Sequence, residues 1–174
     1  MRIYKLFFPV ILIFFCTNSI AQEDKDNNIK YSLSVETGIM GNPDYFAYEQ
    51  TIVNGINIKN KHSLGLGIGV GVNWDDAEYW PLYFNYRYYF KPDKISPHVN
   101  FSIGALLQEY DQGFFTSITS GFKRYLFSFS SGIFFNYLPY TRSYAFDYNG
   151  NIYYEIEHKE RYSVGFIMKA GITF

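Results

Sequence analysis

One cysteine and three histidines stand in 174 residues, and only 18% of the chain is charged. Each shortage excludes a chemistry. The single cysteine, Cys16, lies in an N-terminal leader, so the chain beyond it has no disulfide, no thiolate nucleophile and no cysteine-ligated metal. Formal charge is −1 and no basic stripe exists, which excludes a nucleic-acid binder. No segment repeats apolar residues at helical spacing, and no run is long enough for a membrane helix. What is abundant is aromatic: 18 Tyr and 18 Phe bring aromatics to 22%.

The leader reads "MRIYKLFFPVILIFFCTNSIAQ". Arg2 and Lys5 precede a short apolar core from Leu6 to Phe15, and Ser19-Ile20-Ala21 is a small-x-small cleavage signal. A secretory signal peptide over residues 1–21, cut after Ala21, is expected. A lipoprotein leader ending at Cys16 would need a small residue before it, and Phe15 stands there. Cleavage leaves 13 Lys+Arg against 16 Asp+Glu, a net charge of −3. Residues 22–29 form a polar spacer, and residues 30–174 form the domain.

From Lys30 onward bulky apolar residues alternate with small or polar ones, the period of a strand. Eight strands are expected, at about 30–40, 48–58, 63–74, 80–90, 97–110, 114–123, 125–138 and 161–174. In the last, Tyr162, Val164, Phe166, Met168, Ala170, Ile172 and Phe174 share one face against Ser163, Gly165, Ile167, Lys169, Gly171 and Thr173. The third, "SLGLGIGVGVNW", sets Leu, Ile and Val against Gly65, Gly67, Gly69 and Gly71. Strand charges are sparse and fall on the small-residue face: Glu36, Glu49, Arg87, Lys123 and Lys169. Glu109, at a strand end, is the exception.

A soluble sheet solvates its charged face. Here the wide apolar face suits hydrocarbon, and the small-residue face suits the narrow lumen of eight strands. The expected fold is an all-β, eight-stranded antiparallel up-and-down transmembrane β-barrel. The inward glycines are expected to leave room for bulky side chains across the lumen, such as Tyr83, Arg87 and Tyr89. Short basic connections at one end, such as "KNKH", face longer acidic and aromatic ones at the other, such as "DDAEY". This matches short periplasmic turns and longer external loops. The last connection is read as strands seven and eight running on into an exposed hairpin about Asn149-Gly150, a type I′ signal, with a bulge or break at Pro139. Tyr144, Phe146 and Tyr148 are expected to face Ile152, Tyr154 and Ile156.

Taken together, Ala21-Gln22, "NGINIKNKHSLGLGIGVGVNW", "WPLYFNYRYYF", "SPHVNFSIGA" and the terminal "AGITF" resemble a known family. It is the small eight-stranded outer-membrane β-barrel proteins of Bacteroidetes-type bacteria, OmpA/OmpX-like in architecture. The resemblance covers nearly the whole chain after the leader. It implies outer-membrane localisation, contact with membrane lipid, and insertion by the barrel-assembly machinery. Phe166, Met168, Ala170, Ile172 and Phe174 are similar to the signal which that machinery reads.

Candidate chemistry is thin. Gly-x-Gly-x-x-Gly is not present, because Val70 and Val72 occupy the third glycine's positions and no helix follows. His62, His98 and His158 are too scattered for a metal site, and no cofactor is expected. Asp75, Asp76, Glu78 and Asp111 at the external rim read as solvated charges rather than a cation site. His158 with Glu155, Glu157 and Ser143 is the only basis for a lipid-modifying rim enzyme, and nothing in their spacing demands one. Glu36 and Lys169 are expected to pair inside the barrel, with Arg87 joining a polar network that fills the lumen. The hairpin, with Tyr144, Phe146, Tyr148, Tyr153 and Tyr154, offers a contact surface for an extracellular partner over 139–160. The expected function is therefore a non-catalytic outer-membrane barrel with a structural or surface-interaction role. A small channel, a rim enzyme and a soluble ligand-carrier barrel are the alternatives.

Overall fold

In the computed structural model the described residues are 28–43, 45–73, 78–91, 95–108, 112–148 and 151–174; side chains at 45, 139–159 and 161 are outside the description. Residues 1–21, expected as a leader, nearly all of the expected spacer, Asp75, Asp76, Glu109, Asp111 and the Asn149-Gly150 pair fall outside it.

Eight antiparallel strands form one closed barrel in sequence order. They are β1 (Ile29–Asn42), β2 (Tyr45–Ile58), β3 (His62–Asn73), β4 (Glu78–Tyr89), β5 (Ile95–Leu107), β6 (Gln112–Arg124), β7 (Phe127–Tyr148) and β8 (Asn151–Thr173). Period-2 alternation explains why these segments are strands: one parity meets the lumen and the other the outside. The strands run a few residues past their expected limits at several ends. Tyr125 and Leu126, expected inside the seventh strand, instead make the two-residue turn between Arg124 and Phe127, with Tyr125 at φ 55°. The β2–β3 turn has φ 53° at Lys59 and 55° at Asn60, and the Lys61 amide donates to the Ile58 carbonyl at 3.1 Å. That is the type I′ pattern whose twist suits a hairpin.

The register fixes the barrel's shape. Opposed lumen residues run Thr173, Ser34, Val53, Gly67, Tyr83, Gly104, Phe115, Asn136 and then Ser163, ten residues along β8 from the start. A shear of ten over eight strands tilts them by about 40°, taking ~3.3 Å per residue and ~4.8 Å between strands. Closure is reinforced at the β1–β8 seam, where the Ser34 and Thr173 hydroxyls meet at 2.8 Å.

β7 and β8 outrun their neighbours as an extended hairpin. β6 last pairs at Phe114–Tyr137 and β1 at Gly41–Phe166, whereas β7 and β8 pair without interruption to Tyr148–Asn151. Two expectations are corrected here. Pro139 makes no bulge, since the register passes through Pro139–Glu160 unchanged. It stands just past the end of β6, where β7 has lost one neighbour and a missing donor costs little. Phe146 stands opposite Tyr153, and Tyr144 opposite Glu155, while Ile152, Tyr154 and Ile156 stand opposite Asp147, Ala145 and Ser143. Opposed residues share a face, so the expected aromatic grouping was slipped by one position.

Candidate functional site: the lumen and the outer wall

Four charged side chains of the lumen pair with one another. Glu36 on β1 and Arg87 on β4, three strands apart, meet across the barrel in a buried ion pair. Lys169 Nζ on β8 reaches Glu49 Oε1 on β2 at 2.8 Å, also buried. Gly38 on β1 stands opposite both Glu49 and Lys169, so no β1 side chain separates them. A Cβ there would lie 3.2 Å from Glu49 Cγ and 3.3 Å from Lys169 Cγ. Glu36, Arg87 and Lys169 are thus all inside the barrel, but the expected Glu36–Lys169 pairing is corrected. Register sets Lys169 two positions beyond the partner of Glu36, which is Gly171. Lys169 leans over Gly38 to Glu49 while staying in electrostatic range of Glu36.

Neutral polar side chains continue the network around the wall. Asn85 Nδ2 donates to Asn100 Oδ1 at 2.8 Å and to Ser102 Oγ at 3.0 Å, and Asn100 Nδ2 donates to Thr119 Oγ1 at 3.4 Å. These residues occupy the half of the lumen nearer the chain termini.

The other half, toward the hairpin end, is apolar. Met40, Tyr79, Tyr83, Leu106, Phe115, Phe134 and Ile167 are each at most 2% exposed and form one cluster. Lys169 sits at its floor, with Nζ 5.2 Å from the Tyr83 ring centroid and 5.9 Å from that of Phe115, a cation–π arrangement. The sequence reading anticipated polar filling and missed this aromatic plug. The signal was present: the inward parity carries Met40, Leu106, Phe115, Phe134 and Ile167 near the hairpin end of five strands.

The β3 glycines make room for aromatics, but not across the lumen as expected. Gly67 stands directly opposite Tyr83 on the adjacent β4, and Gly71 opposite Tyr79. A Cβ at either glycine would fall inside the ring of its partner. Tyr83 is flanked on its other side by Gly104, so a single wide ring occupies the space of three residues. Arg87 stands opposite Ser63 and is accommodated without a β3 glycine.

The outer wall has the opposite character. Thirty large hydrophobic side chains among the described residues are exposed, reaching 75% at Phe166 and 64% at Leu66. Leu66, Ile68, Leu82, Ile103, Ile118 and Ile133 form its middle. Tyr31, Phe90, Tyr125 and Phe127 border it at the terminus end, and Phe46, Tyr48, Trp80 and Phe114 at the hairpin end. Phe166, Met168, Ala170, Ile172 and Phe174 all lie on the exposed parity of β8.

His62 and His98 lie on opposite sides of the barrel wall; among the described residues no three His, Cys, Asp or Glu side chains gather. His62 Nδ1 and the Tyr86 hydroxyl are 2.9 Å apart on the outer wall, whereas His98 is inside. For Tyr144, Phe146, Tyr148, Tyr153 and Tyr154 only strand position is described. Compared with known families and curated proteins, the chain matches no family model and no curated protein.

Proposed function

We propose that this chain is a non-catalytic outer-membrane β-barrel protein with a structural or cell-surface interaction role and a filled lumen. One observation carries the reading: polarity is inverted, with ion pairs buried inside and thirty large hydrophobic side chains exposed outside. Soluble monomers rarely expose contiguous apolar patches beyond a few hundred Å². Dimensions agree. Strands of 12 to 14 residues tilted by about 40° climb roughly 30–35 Å, enough for the apolar band and its aromatic girdles. The tyrosines and tryptophan at both borders suit the two membrane–water interfaces.

The reading extends to partners and placement. The leader directs the chain across the inner membrane, the β8 face from Phe166 to Phe174 is the signal for the barrel-assembly machinery, and the terminus end is periplasmic. The hairpin of β7 and β8 then stands outside the cell, where its surface over 139–160 meets an extracellular partner. The aromatic plug and crossing ion pairs argue for a filled lumen over the small-channel alternative.

The chain refolded in detergent tests this directly. Unboiled protein should migrate faster than boiled protein on a denaturing gel, and cell fractionation should place it in the outer membrane. In planar bilayers it should give no large, stable conductance. Uniform migration with recovery in the soluble fraction would overturn the membrane reading. A large open level would overturn the filled lumen. Separately, deleting residues 142–157 should leave the barrel folded while reducing adhesion or complex formation. Unchanged adhesion, complex formation and fitness would remove the hairpin's role.

A further inference from the structure

The outer wall is not uniform around the barrel. On β3, β4 and β5 its outward residues are aliphatic or aromatic at every position from Leu64 to Val72, from Trp80 to Tyr88 and from Val99 to Leu107. β2 differs. Its outward residues run Tyr48, Gln50, Ile52, Asn54 and Ile56, with Asn54 exposed and Gln50 half-exposed. Among the described residues, both outward carboxamides between the aromatic borders therefore fall on one strand.

Their own sheet does not satisfy these amides. Asn54 is flanked across its two ladders by Leu33 and Leu66, and its side chain meets no hydrogen-bond partner among the described residues. Gln50 stands between Thr37 and Val70. Its Nε2 donates to the Tyr48 hydroxyl at 2.8 Å, and no described donor reaches its Oε1. Thr37 Oγ1 has only a long contact, 3.5 Å, to the Glu49 carbonyl. In water such groups would be hydrated. In hydrocarbon an amide without a partner is costly, and lipid tails offer neither donor nor acceptor. The occupant that fits must bring both. A carboxamide carries two donors and an accepting oxygen, so it is its own complement. A second copy presenting the same face supplies donors to Gln50 Oε1 and Asn54 Oδ1 and acceptors to their N–H groups. Two-fold symmetry, the commonest in oligomers, sets a patch against itself in this way. With both hairpins on one side of the membrane, the axis runs along the barrels.

We propose that two copies of this chain pack side by side in the membrane through the outer faces of β1 and β2, with the Gln50 and Asn54 carboxamides hydrogen-bonding across the contact. The inference rests on the membrane reading, because only hydrocarbon leaves these amides without water.

The test is sedimentation equilibrium of the refolded full chain in density-matched neutral detergent, under reducing conditions so that Cys16 cannot bridge copies. A reversible monomer–dimer equilibrium is expected. Q50L/N54L should weaken dimerisation by about tenfold or more, the loss of interfacial hydrogen bonds in an apolar surrounding. I103A, on the apolar side of the wall, should leave it unchanged. Gln50 and Asn54 both face outward, so leucine there meets no wall, and heat-modifiable migration of each variant checks that it folds. A monomer at every concentration, with heat-modifiable migration retained, overturns the dimer and leaves the membrane reading standing. Association that survives Q50L/N54L overturns the assigned face. Uniform migration with recovery in the soluble fraction overturns the membrane reading, and the dimer with it. In cell membranes, I52C treated with a thiol-specific bifunctional cross-linker should give a band of two copies. No such band, or one joining the chain to a different protein, overturns the second copy as the occupant.

Discussion

Gly67→Trp should abolish the compact, heat-modifiable species, whereas Leu66→Ile, one residue away, should leave it intact. Both changes lie in β3, and only the inward one meets a wall. Even one Cβ at Gly67 falls within the Tyr83 ring. That ring cannot swing aside freely, since Phe115 lies 5.8 Å from it between centroids and Gly104 supports its other flank. Overpacking of this kind costs about 1–3 kcal/mol for an added methyl, and an indole goes far beyond it. Leu66 is 64% exposed, and its replacement conserves volume and polarity. The mechanism is separable from a general dislike of substitution at glycine. Gly67→Ala should be partly rescued by Tyr83→Ala, read as a coupling in urea unfolding of the refolded barrel. Gly69→Ala should not be, because its added Cβ meets the Gln50 carbonyl and Thr51 instead. Equal tolerance of Gly67→Trp and Leu66→Ile would refute the inward assignment of the glycines.

Why the sequence revealed so much of the architecture and less of the site follows from the same geometry. Alternation is a local property, so the inward and outward sets of β3, β4, β7 and β8 were legible residue by residue. An even strand count returns the chain to its starting edge, so closure was legible too. Turn chemistry was the weak point where it carried no glycine or asparagine: Tyr125 holds a left-handed φ that its identity does not announce. Partner choice inside the lumen was not legible, because it depends on shear. Depth along a strand located Glu36 and Lys169 correctly on the inner wall. Their partners were decided by the ten-residue offset and by long side chains leaning over glycines, neither of which a single strand displays. Glu49 was recognisable as inward, yet its link to Lys169 needed the Gly38 register. Likewise the aromatic plug emerges only when inward residues of different strands are sorted by height.

Removing one member of the Glu36–Arg87 pair should destabilise the barrel more than removing both. Breaking a buried ion pair leaves an uncompensated charge, which costs about 3–5 kcal/mol, whereas replacing the whole pair with neutral groups is often near neutral. Arg87→Met alone strands Glu36, although Lys169 remains in electrostatic range of it. Glu36→Gln alone strands Arg87, whose Nε already has no partner. Glu36→Gln/Arg87→Met should therefore recover most of the loss, seen as a return of the urea midpoint toward the parent. The cycle also discriminates between pairings. Glu36→Gln with Lys169→Met should show little coupling, because these changes leave Arg87 and Glu49 both unpaired. Glu49→Gln with Lys169→Met should couple strongly across the 2.8 Å contact. If instead Glu36 couples more strongly to Lys169 than to Arg87, the cross-lumen pair is wrong, and the two acids share one cation on the β1–β8 side.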